Sequence, residues 1–92
     1  MFVEICIRVK VFGGLDQLTR VINIARRCKV IYRELKVKLQ DEKTHLEMDL
    51  AGKAEEIEWL MKKIVALPEV LSIEPIPKTI EMEDPLTEVF LP

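Results

Sequence analysis

The hydrophobic period of this chain changes in the order strand, helix, strand, strand, helix, strand. That succession limits the folds open to it more than any other feature. Val3, Ile5, Ile7, Val9 and Val11 alternate with Glu4, Cys6, Arg8 and Lys10, the period of two of a half-buried strand. Leu15, Leu18, Val21, Ile22 and Ala25 then recur at three and four residues, the stripe of an amphipathic helix. Gly13 and Gly14 break the first strand, which runs from Phe2 to Phe12. Asp16 serves as the N-cap or as a first-turn acid, and Arg26, Arg27 and Lys29 suit the negative end of the helix dipole.

The rhythm then repeats. Val30 to Leu39 reads as a strand with Leu35, Val37 and Leu39 on one face. Tyr32 joins that face only if the chain slips near Arg33–Glu34, which predicts a β-bulge. A short hairpin centred on Asp41–Glu42 sets Leu39, Val37 and Leu35 opposite Thr44, Leu46 and Met48. On the other face it sets Lys36 opposite Glu47, a pairing of opposite charges that favours the same register. Gly52 is expected to start a second helix, with Ala54, Ile57, Leu60, Met61, Ile64 and Leu67 as its core stripe and Pro68 as its end. Val70 to Ile76 is the last strand. The pattern predicts an α+β, ferredoxin-like βαββαβ sandwich, with a four-stranded antiparallel sheet and two helices on one face. The free face should carry Lys36, Lys38, Glu47 and Asp49. Residues 1–77 form this unit, and 78–92 form a tail, an edge strand at Ile80–Glu83 or an oligomer arm.

Ninety-two residues make one domain, large enough to bury a core without covalent staples. A net charge of −2 argues against nucleic acid, which requires a basic face. No apolar run approaches a membrane span, and the N-terminus enters a strand at once, unlike a signal peptide. A cytoplasmic protein is expected. Cys6 and Cys28, the only cysteines, read as free structural thiols.

Catalytic constellations are thin. An acylphosphatase would need an anion cradle after the first strand with an arginine beside it. Phe12-Gly13-Gly14-Leu15-Asp16 has the glycines, but an acid stands where positive charge is wanted, and Arg20 reads as solvated. Paired thiols for a metallochaperone and four cysteines for an iron–sulfur cluster are absent. His45, the single histidine, falls on the polar face of the hairpin near Lys38. No catalytic residue, metal ligand or cofactor is expected. Two features suggest binding instead. One is the Gly13–Gly14 loop leading into a helix N-terminus, where free amides receive a carboxylate. The other is Trp59, which a step of about 100° per residue places away from Ile57 and Leu60, exposed as an interface residue or covered by Val89, Phe90 or Leu91 of the tail.

Leu18-Thr19-Arg20-Val21-Ile22, Ala25-Arg26-Arg27, the strand Val30 to Val37, and Ile57…Leu60…Ile64…Leu67-Pro68-Glu69-Val70 resemble the ACT-domain family, small regulatory modules of amino-acid metabolism. Within it they look nearest to the small regulatory subunits of acetolactate synthase. The resemblance spans Val3 to Glu74. It implies a dimer, paired side by side, that binds an amino acid at its interface and modulates a biosynthetic enzyme. By position, the implied effector site is Gly13, Gly14, Leu15, Asp16 and Gln17, facing Val30 and Ile31 across the dimer seam. Trp59, Phe90 and Leu91 are interface candidates. The expected function is a non-catalytic regulatory module without nucleic-acid or membrane partners. The alternatives are an assembly module without a small ligand, or an acylphosphatase-like hydrolase dependent on Arg20.

Overall fold

The first strand sets the geometry because its alternation gives it one dry face and one wet one. The computed structural model of the chain describes residues 1–78. In β1 (Phe2–Phe12), Ile5, Ile7, Val9 and Val11 are buried. The helix α1 (Leu15–Arg27), the strands β2 (Ile31–Gln40) and β3 (Lys43–Lys53), the helix α2 (Ala54–Val65) and the strand β4 (Val70–Pro77) follow. The sheet is antiparallel in the order β2-β3-β1-β4. Both helices pack on one face, as the periodicity predicts.

The core lies between that face and the helices. Ile7, Val9 and Val11 of β1 and Leu46, Met48 and Leu50 of β3 meet Leu18, Val21 and Ala25 of α1 and Ile57, Leu60 and Ile64 of α2. Each of these side chains larger than alanine contributes roughly 1.5–3 kcal/mol by leaving water.

The β2–β3 hairpin adopts the expected register: Leu35 faces Met48, Lys36 faces Glu47, Val37 faces Leu46 and Leu39 faces Thr44. Asp41 and Glu42 both have positive φ, 49° and 53°. Two left-handed residues form the two-residue turn whose twist matches the strands, at some backbone cost because neither is glycine. The register slips between Tyr32 and Glu34, so Arg33 forms the expected bulge. Tyr32 is thereby phased with Leu35, and its hydroxyl donates to the Ala25 carbonyl at 2.7 Å. Arg33 reaches across β3 to Glu4 at 2.9 Å.

Gly52 does not start α2. It lies inside β3 and pairs with Val3. A β-carbon there would come within 2.6 Å of the Val30 side chain, so the glycine answers a close approach and not a chain break. The helix begins at Ala54, whose amide donates to the Met1 carbonyl at 2.9 Å.

Trp59 is half-buried and touches the core edge, with the Lys63 ammonium 5.9 Å from its ring centre. Phe90, Leu91 and the possible edge strand at Ile80–Glu83 lie outside the described residues. None of the described helices is long and apolar enough to cross a membrane.

Candidate functional site

The loop between β1 and α1 is built around Gly13, whose φ of +109° is closed to other residues without strain. A β-carbon on Gly13 would also strike the Gln17 side chain at 2.5 Å. Its amide donates to the Glu42 carbonyl at 2.7 Å, and its carbonyl accepts from the Thr44 hydroxyl at 2.9 Å. One glycine therefore fastens the strained hairpin tip to the start of α1. The next amide, of Gly14, donates to Gln17 Oε1 at 3.0 Å. This is half of a capping box, since glycine has no side chain to return the bond.

The amides of Leu15, Asp16 and Gln17 remain as the first-turn donors of α1. Leu15 is exposed and Gly14 is open, with nothing within 4 Å of a β-carbon placed there. Gly13, Gly14, Leu15, Asp16 and Gln17 thus form one contiguous surface. Val30 and Ile31 do not join it within a chain. They lie at the opposite end of the sheet, where Ile31 pairs with Ala51 and Val30 covers Gly52.

Arg20 is not simply solvated. Its guanidinium stands 3.3 Å from the nearly buried carboxylate of Glu69. His45 pairs with Lys38 on the free face, as expected. Among the described residues, no group of three or more His, Cys, Asp or Glu is placed to hold a metal ion. Cys6 and Cys28 are free thiols. Burial, with Glu56 alongside, pushes the Cys28 thiol up to about 11, and its Sγ lies 3.3 Å from the Glu56 carbonyl. Such a thiol is inert at neutral pH.

The feature that sequence reasoning missed is the outer edge of β2. In an antiparallel ladder, alternate residues turn both amide and carbonyl to the same neighbour. Ala54 donates to Met1 and Gly13 to Glu42, so odd residues of β1 address β3; Phe12 donates to Glu69 and Lys78 to Glu4, so even residues address β4. Carried through the register, this leaves the amides and carbonyls of Leu35, Val37 and Leu39 facing outward. Their side chains lie on the helix side, yet they remain 49, 48 and 57 % exposed. At the other edge the outward residues include Pro75 and Pro77, which have no amide hydrogen. The legible signal was two prolines in one edge strand and none in the other.

Comparison with known proteins agrees with this architecture. A family model of the ACT domain matches residues 15–73, more than half of the chain. The ACT domain of a GTP pyrophosphokinase from Chlorobium tepidum is similar at a TM-score of 0.74 and 12% identity, covering 83% of this chain and 100% of that one. The C-terminal domain of the MgtC protein from Mycobacterium tuberculosis is similar at 0.65 and 13%, covering 85% and 89%. A de novo designed protein, Foldit4, is similar at 0.60 and 15%, covering 86% and 98%. These structural likenesses speak for the fold alone. No curated protein matches the chain. With the family model spanning both helices and the order of strands and helices in place, the chain belongs to the ACT-domain family.

Proposed function

We propose that this protein is a non-catalytic regulatory module. It pairs with a second copy through β2 and takes a small amino-acid effector at the Gly13–Gln17 loop. The observation that carries the reading is the open edge at Leu35, Val37 and Leu39, with both unpaired backbone groups and exposed apolar side chains. Such an edge is a template for pairing with another chain.

A twofold pairing centred on Leu35 sets Glu34 against Lys36 of the second copy, twice. Shifting the centre to Lys36 sets that lysine against itself, so charge favours the first register. In that register Gln40 falls level with Val30 of the other copy. The Gly13–Gln17 end of one chain then approaches the Val30–Ile31 end of the other. An effector at that seam biases the arrangement only through a difference in affinity between two states. The partner under regulation is a biosynthetic enzyme, for which the resemblance favours acetolactate synthase.

One observation favours a second reading, an assembly module that acts through protein contacts alone. The Gly13 and Gly14 amides are already engaged within the chain, and Asp16 would repel a carboxylate.

A thermal-shift screen against the twenty amino acids, with light scattering, separates the readings, because binding to the native state raises its melting temperature. A shift with valine, leucine or isoleucine that is lost in Gly14→Ala supports the effector site. A stable dimer with no shift would leave only the assembly role. A monomer at every concentration would remove both.

A further inference from the structure

The helix-free face of the sheet carries charge in two different ways. Over most of the face cations and acids are matched: Arg8 lies 3.0 Å from Glu47, Arg33 2.9 Å from Glu4, and Lys78 3.0 Å from Asp49. Toward the hairpin tip the matching stops. There the cross-strand row is Lys38, His45, Lys10 and Ser72, and Lys43 pairs with Phe12 in the next row. Among the described residues, Lys10, Lys38 and Lys43 enter no ion pair. Like charges set across strands destabilise a sheet, so a row of cations with no acid in it is a cost the fold does not recover within itself.

The same row borders a depression. Lys10, Lys38 and His45 line a concavity of about 600 Å³ in the free face, within the range of small-molecule sites. Lys10 and His45 are half-buried there, and Ser72 adds a hydroxyl from β4. Of the acids that border it, Glu47 holds Arg8 and Glu74 stands across from the same arginine. Lys36 borders it too, but the pairing through β2 sets that lysine against an acid of the second copy. Phe12 lies one same-face step along β1 from Lys10, about 7 Å. Its ring is 53 % exposed, an uncovered aromatic beside unpaired cations.

We propose that this end of the free face binds the di- or triphosphate group of a nucleotide, with the base on Phe12. Lys10 and Lys38 stand two strand spacings apart, about 10 Å, a gap that a chain of two or three phosphates spans. Each ammonium takes a different phosphate, while His45 between them and Ser72 beside them supply a ring N–H and a hydroxyl. Phe12 lies at the open end of the row, where a planar base stacks on its face. The chain as a whole is net negative by two. That suits a compact anion held by a few side chains better than a nucleic-acid strand, which needs a basic stripe. The site needs nothing from a second copy, so it stands or falls separately from the β2 dimer and from the effector loop.

The test titrates the full-length chain with ATP and with GTP, without metal, and follows the backbone amide shifts. The amides of Lys10, Lys38, His45 and Phe12 should move and saturate together, with an affinity that weakens as salt screens the charges. Lys10→Gln with Lys38→Gln keeps most of both stems and should weaken binding by about tenfold or more. Phe12→Ala should weaken it by about tenfold, and inorganic triphosphate should bind more weakly than ATP by a similar factor. No saturable shift at about 5 mM nucleotide, a Kd far weaker than two charged contacts provide, would overturn the proposal. So would shifts left unchanged by the double lysine substitution in a chain whose spectrum stays native. Equal affinity for ATP and inorganic triphosphate would mark a bare anion site and overturn the nucleotide assignment. Shifts confined to the Gly13–Gln17 amides would place the phosphates at the helix N-terminus and also overturn it.

Discussion

The two edges of this sheet solve the same problem differently. Along β4 the outward positions include Pro75 and Pro77, so a neighbouring strand would find donors missing where it needs them. Along β2 the outward positions are Leu35, Val37 and Leu39, with donors and acceptors intact and side chains about half exposed. Natural proteins blunt the edges they do not use. An edge left open beside one that is closed is therefore informative, and it supports the proposed pairing through β2.

Copying the device of β4 onto β2 should have the largest effect. Leu35→Pro removes an outward amide that β3 does not use, and in a twofold dimer it does so twice. At about 1 kcal/mol for each bond, self-association should weaken by about 30-fold or more, read by sedimentation, while the circular dichroism of the monomer stays native. An unchanged dimer would show that pairing runs through another surface.

The attachment of β2 to the body is the next point of difference. Tyr32 bonds to the Ala25 carbonyl at the end of α1, and Tyr32→Phe should cost about 1 kcal/mol in urea unfolding. If the bulge alone set the position of β2, the cost would be near zero.

The same region should give the protein an alkaline limit. Burial pushes the Tyr32 phenol to about 12 and the Cys28 thiol to about 11. Both groups therefore bind protons more tightly folded than unfolded. Their contribution is complete below about pH 9, the ordinary thiol value, and is lost as pH rises from there through about 12. Melting temperature should be flat from neutrality to about pH 8.5 and fall above it, with a shallower fall in Tyr32→Phe.

The smallest effect is expected from reopening the closed edge. Pro75→Val restores one outward amide and should change stability by no more than about 0.5 kcal/mol, with a weak gain in self-association at high concentration.

What could be read from the sequence was decided by local pattern. The hairpin register was legible because both faces of β2 and β3 demand it: the apolar run opposite Thr44, Leu46 and Met48, and Lys36 opposite Glu47. The bulge was legible because Tyr32 is out of phase with Leu35 unless one residue is skipped. Gly13 announced its loop. Long-range contacts left no such mark. Gly52 looks like a helix start until Val30 is seen lying over it, and Arg20 looks solvated until Glu69 arrives from the far side of α2. Alternation identified the apolar side of β2 but not that it would stay uncovered, since that depends on where two helices rest on four strands.

The prolines of β4 also bear on how large an assembly can grow. A strand edge that pairs with its own copy about a twofold uses itself up, whereas head-to-tail joining of β2 to β4 would run on without end as a filament. With donors absent at Pro75 and Pro77, that second route lacks two of its hydrogen bonds. Under the proposed pairing through β2, growth of the sheet would stop at two chains, with a closed eight-stranded dimer as its terminal state.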